Sequence, residues 1–238
     1  DILDKIGVNV QLIRHGKYKS AGEMFIRSSS SKENLEQNEA MVKSMWESWG
    51  TVIAQSREIS FDKINSLLDD LSLNSAKDFI DNGLVDEALS REELGEKLAT
   101  FYLADNADDL QYIPFTDYVT TKKTALNLSD KKVAVIFADG EIVDGKDKKK
   151  VAGDHFASII AKIRKDPSVK AVVLRVNSPG GSAYGSEQIW NEVVKLKAEK
   201  PVIVSMGDYA ASGGYYISCA ADYIVANPAT LPGSIGIL

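Results

Sequence analysis

The sequence predicts an α/β protein built on parallel strand pairing. Two observations carry this. From about residue 129 onward, short hydrophobic runs alternate with amphipathic helical patterns, the rhythm of strand–helix–strand units. Two of those runs also end in paired glycines, SPGG at 178–181 and ASGG at 211–214, the turns that carry a strand into a helix. With 238 residues, 44% of them hydrophobic, the chain can bury a sizeable core. Its length suits one large domain or two smaller ones.

The elements of the second half follow in order. KVAVIFADGEI reads as a strand with a turn, and GDHFASIIAKIRKD as a helix with Phe156, Ile159, Ile160 and Ile163 on one face. KAVVLRVN is a buried strand closed by the SPGG turn. SAYGSEQIWNEVVKLKAEK is a helix and PVIVSMG a strand. A serine turn, the short helix SGGYYISCAA, the strand DYIVAN and the turn PATLPGSIG complete the run.

The first half is less regular. VNVQLIR, residues 8–14, alternates like a strand, and GKYKSAGEMF follows as a loop. SSSSKENLEQNEAMVKSMWESWGTVIAQSRE predicts a long helix. Ser30 and Glu33 stand at capping-box spacing. Leu35, Val42, Met45, Trp46, Trp49, Val52 and Ile53 recur at helical intervals as expected core. Three shorter helical patterns follow a serine or a similar cap, and Gly83 suits a C-cap. Residues 116–132 are polar and read as a connector, which places a boundary near Leu128 and divides the chain into 1–128 and 129–238.

Composition excludes some functions. A net charge of −6 argues against a nucleic-acid scaffold. Lys148, Lys149 and Lys150 read as a solvated turn. A single cysteine, Cys219, excludes an internal disulfide framework and a multi-cysteine metal site. No apolar run approaches the ~18 residues that span a bilayer. The opening DILDKIG is charged and is no signal peptide. Both ends read as cut, so the chain is expected to be a soluble piece of a longer protein.

Chemistry concentrates at the two glycine turns. Paired glycines let the backbone approach a ligand and aim N–H groups at it, which suits a developing oxyanion. Ser212, at a strand end and a helix start, is by default an N-cap. Two such turns at neighbouring strand ends would converge on one crevice. Gly181 and Gly213 would then be the oxyanion donors beside the Ser212 hydroxyl. The proton acceptor is less evident. The chain has two histidines, His15 and His155. His155 falls early in an amphipathic helix and reads as surface; His15 lies just beyond the 8–14 run. A Ser–Lys pair is the other known arrangement. A lysine base must be deprotonated, although the ordinary lysine pKa is ~10.4. A lowering by about three pH units, roughly 4 kcal/mol, can come from a dry pocket. Most lysines here sit on solvated faces. Lys19 lies instead in KYKSAGEMF, between Tyr18 and Ser20, where a plain surface lysine remains the competing reading.

NSPGGSAYGSEQIW, SMGDYAASGGYYIS, YIVANPATLPGSIGI and GKYKSAGEMF, in that arrangement, resemble the signal peptide peptidase A (protease IV) family of Ser–Lys serine proteases, in its long, duplicated bacterial type. The resemblance covers about residues 5–238. It implies crotonase-like, Clp-protease-like spiral units. On that basis 1–128 is the end of a first repeat with a helical segment, and 129–238 the start of the serine-bearing second. It implies Ser212 as nucleophile, Lys19 rather than Lys17 as general base, Gly181 and Gly213 as oxyanion donors, and Ser234 as the residue that orients the lysine. It further implies no metal or organic cofactor and short hydrophobic peptides, such as remnant signal peptides, as substrate. A homo-oligomer is implied, with a membrane anchor outside this chain, on the extracytoplasmic face of the bacterial inner membrane. The rival readings are a non-catalytic peptide-binding homologue, an inert fragment, and an acyl-CoA hydratase- or isomerase-like enzyme.

Overall fold

The computed structural model describes residues 2–122 and 129–235. The chain packs as two compact units. One comprises residues 1–48 and 129–238, the other 49–128.

The larger unit is built on a parallel sheet. β1 (Lys132–Asp139), β4 (Val169–Ser178), β5 (Val202–Ala211) and β6 (Tyr223–Val225) lie side by side in that order. β7 (Leu231–Gly233) pairs with the far end of β5. Every pairing is parallel. A second ribbon joins β2 (Ile142–Val143) to β3 (Val151–Ala152), also in parallel. Parallel neighbours need crossovers, and α7 (Gly153–Lys165) and α8 (Ala183–Lys197) supply them. The mixed α/β architecture expected from strand–helix alternation is therefore the one observed.

Alternation along β4 explains the core. Val172, Leu174 and Val176 are fully buried, as are Val202 and Val204 of β5. They pack with Phe156 and Ile160 of α7, Ile189, Val193 and Leu196 of α8, and Ile217 of α9 (Gly213–Ser218). Val133, Val135 and Phe137 alternate onto the opposite face of β1 and are exposed among the described residues.

α1 (Ile2–Lys5) opens the chain. Residues 8–14 form no strand: an alternating pattern makes a strand only where a neighbour completes its hydrogen bonds, and none of the described strands pairs with it. α2 (Lys32–Arg57) is the expected long helix. Its cap is Ser31, whose Oγ accepts the Asn34 amide at 3.1 Å, and not Ser30. Its apolar residues are not the expected core. Leu35, Val42, Trp49, Val52 and Ile53 are exposed, and the buried positions are the small Gly50 and Ala54.

In the smaller unit, α3 (Phe61–Asp69), α4 (Ala76–Asp81) and α5 (Arg91–Tyr102) start at Ser60, Ser75 and Ser90. Ser75 and Ser90 form full capping boxes with Asp78 and Glu93. Gly83 takes a φ of 73° just past α4. The expected connector contains a further helix, α6 (Phe115–Thr121). The expected boundary residue, Leu128, lies outside the described residues.

Candidate active site

β5 delivers its last residue, Ala211, to a sharp turn at Ser212. There φ is 51° and ψ is −117°, a conformation that costs a non-glycine residue on the order of 1–3 kcal/mol. The surroundings impose it. The Ser212 N–H donates to the Gly233 carbonyl of β7 at 2.8 Å, and the Ser212 carbonyl accepts the Tyr216 N–H at 2.9 Å to start α9. The Ser212 side chain makes no capping hydrogen bond. Its position at a helix start is therefore not explained by the ordinary capping role.

The SPGG turn sits against this serine. β4 ends at the buried Ser178, whose Oγ accepts the Gly180 N–H at 3.1 Å. Gly180 and Gly181 have φ values of 95° and 145°. β2 stitches the turn in place: the Ile142 N–H donates to Gly180 O and the Ser182 N–H to Ile142 O, each at 2.8 Å. Ser182 Oγ caps α8 by accepting the Gly185 N–H at 3.0 Å, and its hydroxyl donates to Asp144. A Cβ placed on Gly180 would stand 2.6 Å from the Gly213 nitrogen and 2.8 Å from Ser212 Cβ. The two glycine turns thus abut. Among the described residues, neither the Gly181 nor the Gly213 N–H has a hydrogen-bond acceptor.

Gly181, Ser212, Gly213, Tyr216 and Ser234 line one cleft of about 570 Å³ with a largely apolar wall. Tyr216 stacks at a tilt against Trp190, ring centroids 5.9 Å apart, and its phenol donates to the Glu187 carboxylate. That hydrogen bond, more than burial, raises the Tyr216 pKa above the usual tyrosine value.

Lys19 opens onto an adjoining cavity of about 450 Å³, whose lining also includes His15, Lys17 and Tyr18. Ser234 and Ile235 line both spaces. Lys19 Nζ donates to Ser234 Oγ at 3.2 Å, across 215 positions of sequence. Ser234 holds a positive φ of 47° directly after Gly233, the residue that binds the Ser212 backbone. Lys17 points elsewhere: its Nζ is 3.9 Å from Glu33 and 5.3 Å from the centre of the Tyr18 ring. His155 is half-buried rather than exposed, with its ring edge-on to Phe156 at 6.0 Å.

One cluster beside Lys19 escaped the sequence reading. Arg14 Nη1 donates to the Lys19 carbonyl at 2.8 Å and to Glu23 Oε1 at 2.9 Å. The other Glu23 oxygen accepts the Ser31 N–H at 3.0 Å. Glu23 is buried, and the Ser31 hydrogen bonds, with Arg14 beside them, hold its carboxyl down to about 2. The only sequence signal was an arginine and a glutamate nine residues apart in a short loop.

The model of peptidase family S49 matches residues 1–105 and 194–238. The chain belongs to peptidase family S49. The matched spans contain Lys19, Ser212, Gly213 and Ser234. Protease 4 of Haemophilus influenzae is 40% identical over 248 residues, which take in all of this chain and 40% of that protein. Protease 4 of Salmonella typhi is 41% identical over 99% of the chain and 39% of its own length. The chloroplastic serine protease SPPA of Arabidopsis thaliana is 30% identical over the whole chain and 36% of its own length. The S49 chain therefore spans about two-fifths of the length of these relatives.

Proposed function

We propose that this S49 chain carries the reacting groups of a serine endopeptidase that works by a Ser–Lys dyad. One observation carries the reading: Lys19 Nζ and Ser234 Oγ meet at 3.2 Å where the lysine cavity joins the Ser212 cleft. In the proposed reaction the neutral Lys19 amine accepts the Ser212 hydroxyl proton as Oγ attacks the scissile carbonyl. The carbonyl oxygen takes the negative charge, and the Gly181 and Gly213 N–H groups stabilise it. Collapse of the tetrahedral species expels the amine, which takes its proton from Lys19. Water then hydrolyses the acyl-enzyme by the same route. Ser234 holds the lysine amine toward the serine.

The apolar wall of the cleft favours short hydrophobic peptides, of which cleaved signal peptides are the class we assign. The 1–128 and 129–238 stretches are read as the end of one repeat and the start of the next. In the whole protein a membrane anchor, a homo-oligomer and an extracytoplasmic site at the bacterial inner membrane complete the reading. No helix among the described residues is long and apolar enough to cross a membrane.

The test is peptide hydrolysis by the full-length protein carrying Ser212→Ala or Lys19→Ala. Each is expected to lose roughly 10³-fold or more in kcat, and the two losses together should not add. Near wild-type turnover in either variant refutes the dyad. Covalent labelling of Ser212 by a fluorophosphonate separates the peptidase from a hydratase-like enzyme, and peptide binding without cleavage would mark a binding homologue.

A further inference from the structure

We infer that Arg14 and Glu23 form a positioning pair for Lys19, fixing the backbone from which the amine reaches Ser234. The inference rests on the dyad reading above and deepens it. Lys19 lies in a loop with no regular hydrogen-bonding ladder. A long, flexible side chain on such a loop would spread its amine over many positions, whereas proton transfer requires approach within about 3 Å. Something must hold the loop.

Three contacts do. A single guanidinium nitrogen, Arg14 Nη1, bridges the Lys19 carbonyl and the Glu23 carboxylate. The carboxylate's second oxygen accepts the Ser31 N–H at 3.0 Å. Ser31 is in turn committed to the start of α2, where its Oγ accepts the Asn34 N–H and its carbonyl the Leu35 N–H. The lysine backbone is thereby anchored, through a charge pair, to the end of a 26-residue helix. The neighbouring residue repeats the attachment: Gln37 of α2 donates to Ser20 Oγ at 2.8 Å. Glu23 is buried although it is a carboxylate. Buried carboxylates persist only when their hydrogen bonds are filled, and the groups that fill these are the ones that hold the lysine loop. Arg14 and Glu23 reach the lysine through its main chain, so their role is geometric.

The experiment compares Arg14→Met, Arg14→Lys and Glu23→Gln with Lys19→Ala in the full-length protein, with thermal unfolding as the fold control. Arg14→Met keeps an unbranched stem but removes the donors. It is expected to lower kcat roughly 10²-fold, the scale for an ångström of misplacement, with KM within about twofold of wild type by the same argument. Arg14→Lys can still donate from one nitrogen to both acceptors and should recover a substantial part of that loss. Glu23→Gln keeps the shape and removes the charge; it should lower kcat in the same way, and it carries the test if Arg14→Met loses its folded transition. Wild-type kcat in folded Arg14→Met or Glu23→Gln overturns the inference, as does a rise in KM at unchanged kcat, or no rescue by Arg14→Lys. The dyad reading fails separately, and takes the inference with it, when Lys19→Ala itself retains activity.

Discussion

Gly180 offers the sharpest test of whether the two glycine turns form one site. A Cβ at this position would lie 2.6 Å from the Gly213 nitrogen and 2.8 Å from both Ala211 O and Ser212 Cβ. Ordinary contact between such atoms begins at about 3.5 Å, so the two turns must separate by something close to 1 Å to admit it. Two of the three atoms met belong to the backbone, which no side-chain rotation relieves. Gly180→Ala also places an L-residue at a φ of 95°. Strain at that angle costs on the order of 1–3 kcal/mol, and forcing a methyl into packed atoms adds about 1–3 kcal/mol. Gly140→Ala isolates the first part: its φ is 96°, yet a Cβ there meets nothing within 4 Å. Chemical unfolding of the full-length protein should show Gly180→Ala less stable than Gly140→Ala by about the packing cost alone. Peptide hydrolysis should fall roughly 10²-fold or more in Gly180→Ala, since oxyanion donors act only within about 2.7–3.1 Å of the oxygen. Gly140→Ala should remain active. Equal stability of the two variants, or wild-type turnover in Gly180→Ala, would show that the SPGG and ASGG turns do not act together.

Other expectations follow from single contacts. Ser234→Ala removes the hydroxyl that receives Lys19 Nζ. In the proposed reaction Lys19 turns cationic as it takes the Ser212 proton, and a hydrogen bond to a charged group contributes about 1.5–3 kcal/mol, so kcat should drop about 10- to 100-fold while unfolding is little changed; an unaltered kcat would remove Ser234 from the mechanism. Ile189 of α8 is fully buried against the sheet, and Ile189→Ala should cost about 2–5 kcal/mol by equilibrium unfolding. Glu23 sets an acid limit. Its folded carboxyl is held down to about 2 against an ordinary 4.5, chiefly by the Ser31 hydrogen bonds. The stability it adds is complete above the ordinary value and disappears as pH falls through about 2. NMR titration of that carboxyl should place its midpoint near 2, and a midpoint in the usual carboxylate range would contradict the burial and hydrogen bonding described above.

The sequence was most legible where local pattern and long-range pairing agree. β4 and β5 were readable because a short apolar run bounded by turn residues marks a strand; the structure buries one face of each fully and leaves the other half-buried or exposed. The starts of α3, α4 and α5 were readable because a serine cap is a local device. Residues 8–14 misled because alternation records only a tendency, and the strand needs a partner that local sequence does not contain. α2 misled differently. Its apolar residues recur at helical spacing, but what they meet depends on parts of the fold far away, and most remain exposed among the described residues. α6 was missed because a polar, threonine-rich stretch gives little periodicity to read.

The sequence alone determined the parallel α/β layer, the two glycine turns and the short list from which a nucleophile and a base could be drawn. Those are properties of neighbours along the chain: hydrophobic period, conformational freedom at glycine, and residue chemistry. Only the tertiary structure decided that Ser212 is not spent as a helix cap, that Gly180 lies against Gly213, and that Lys19 rather than Lys17 meets Ser234. It alone revealed Arg14 and Glu23 beneath the lysine loop. Each of these is a distance between segments that folding brings together, and no local pattern encodes such a distance.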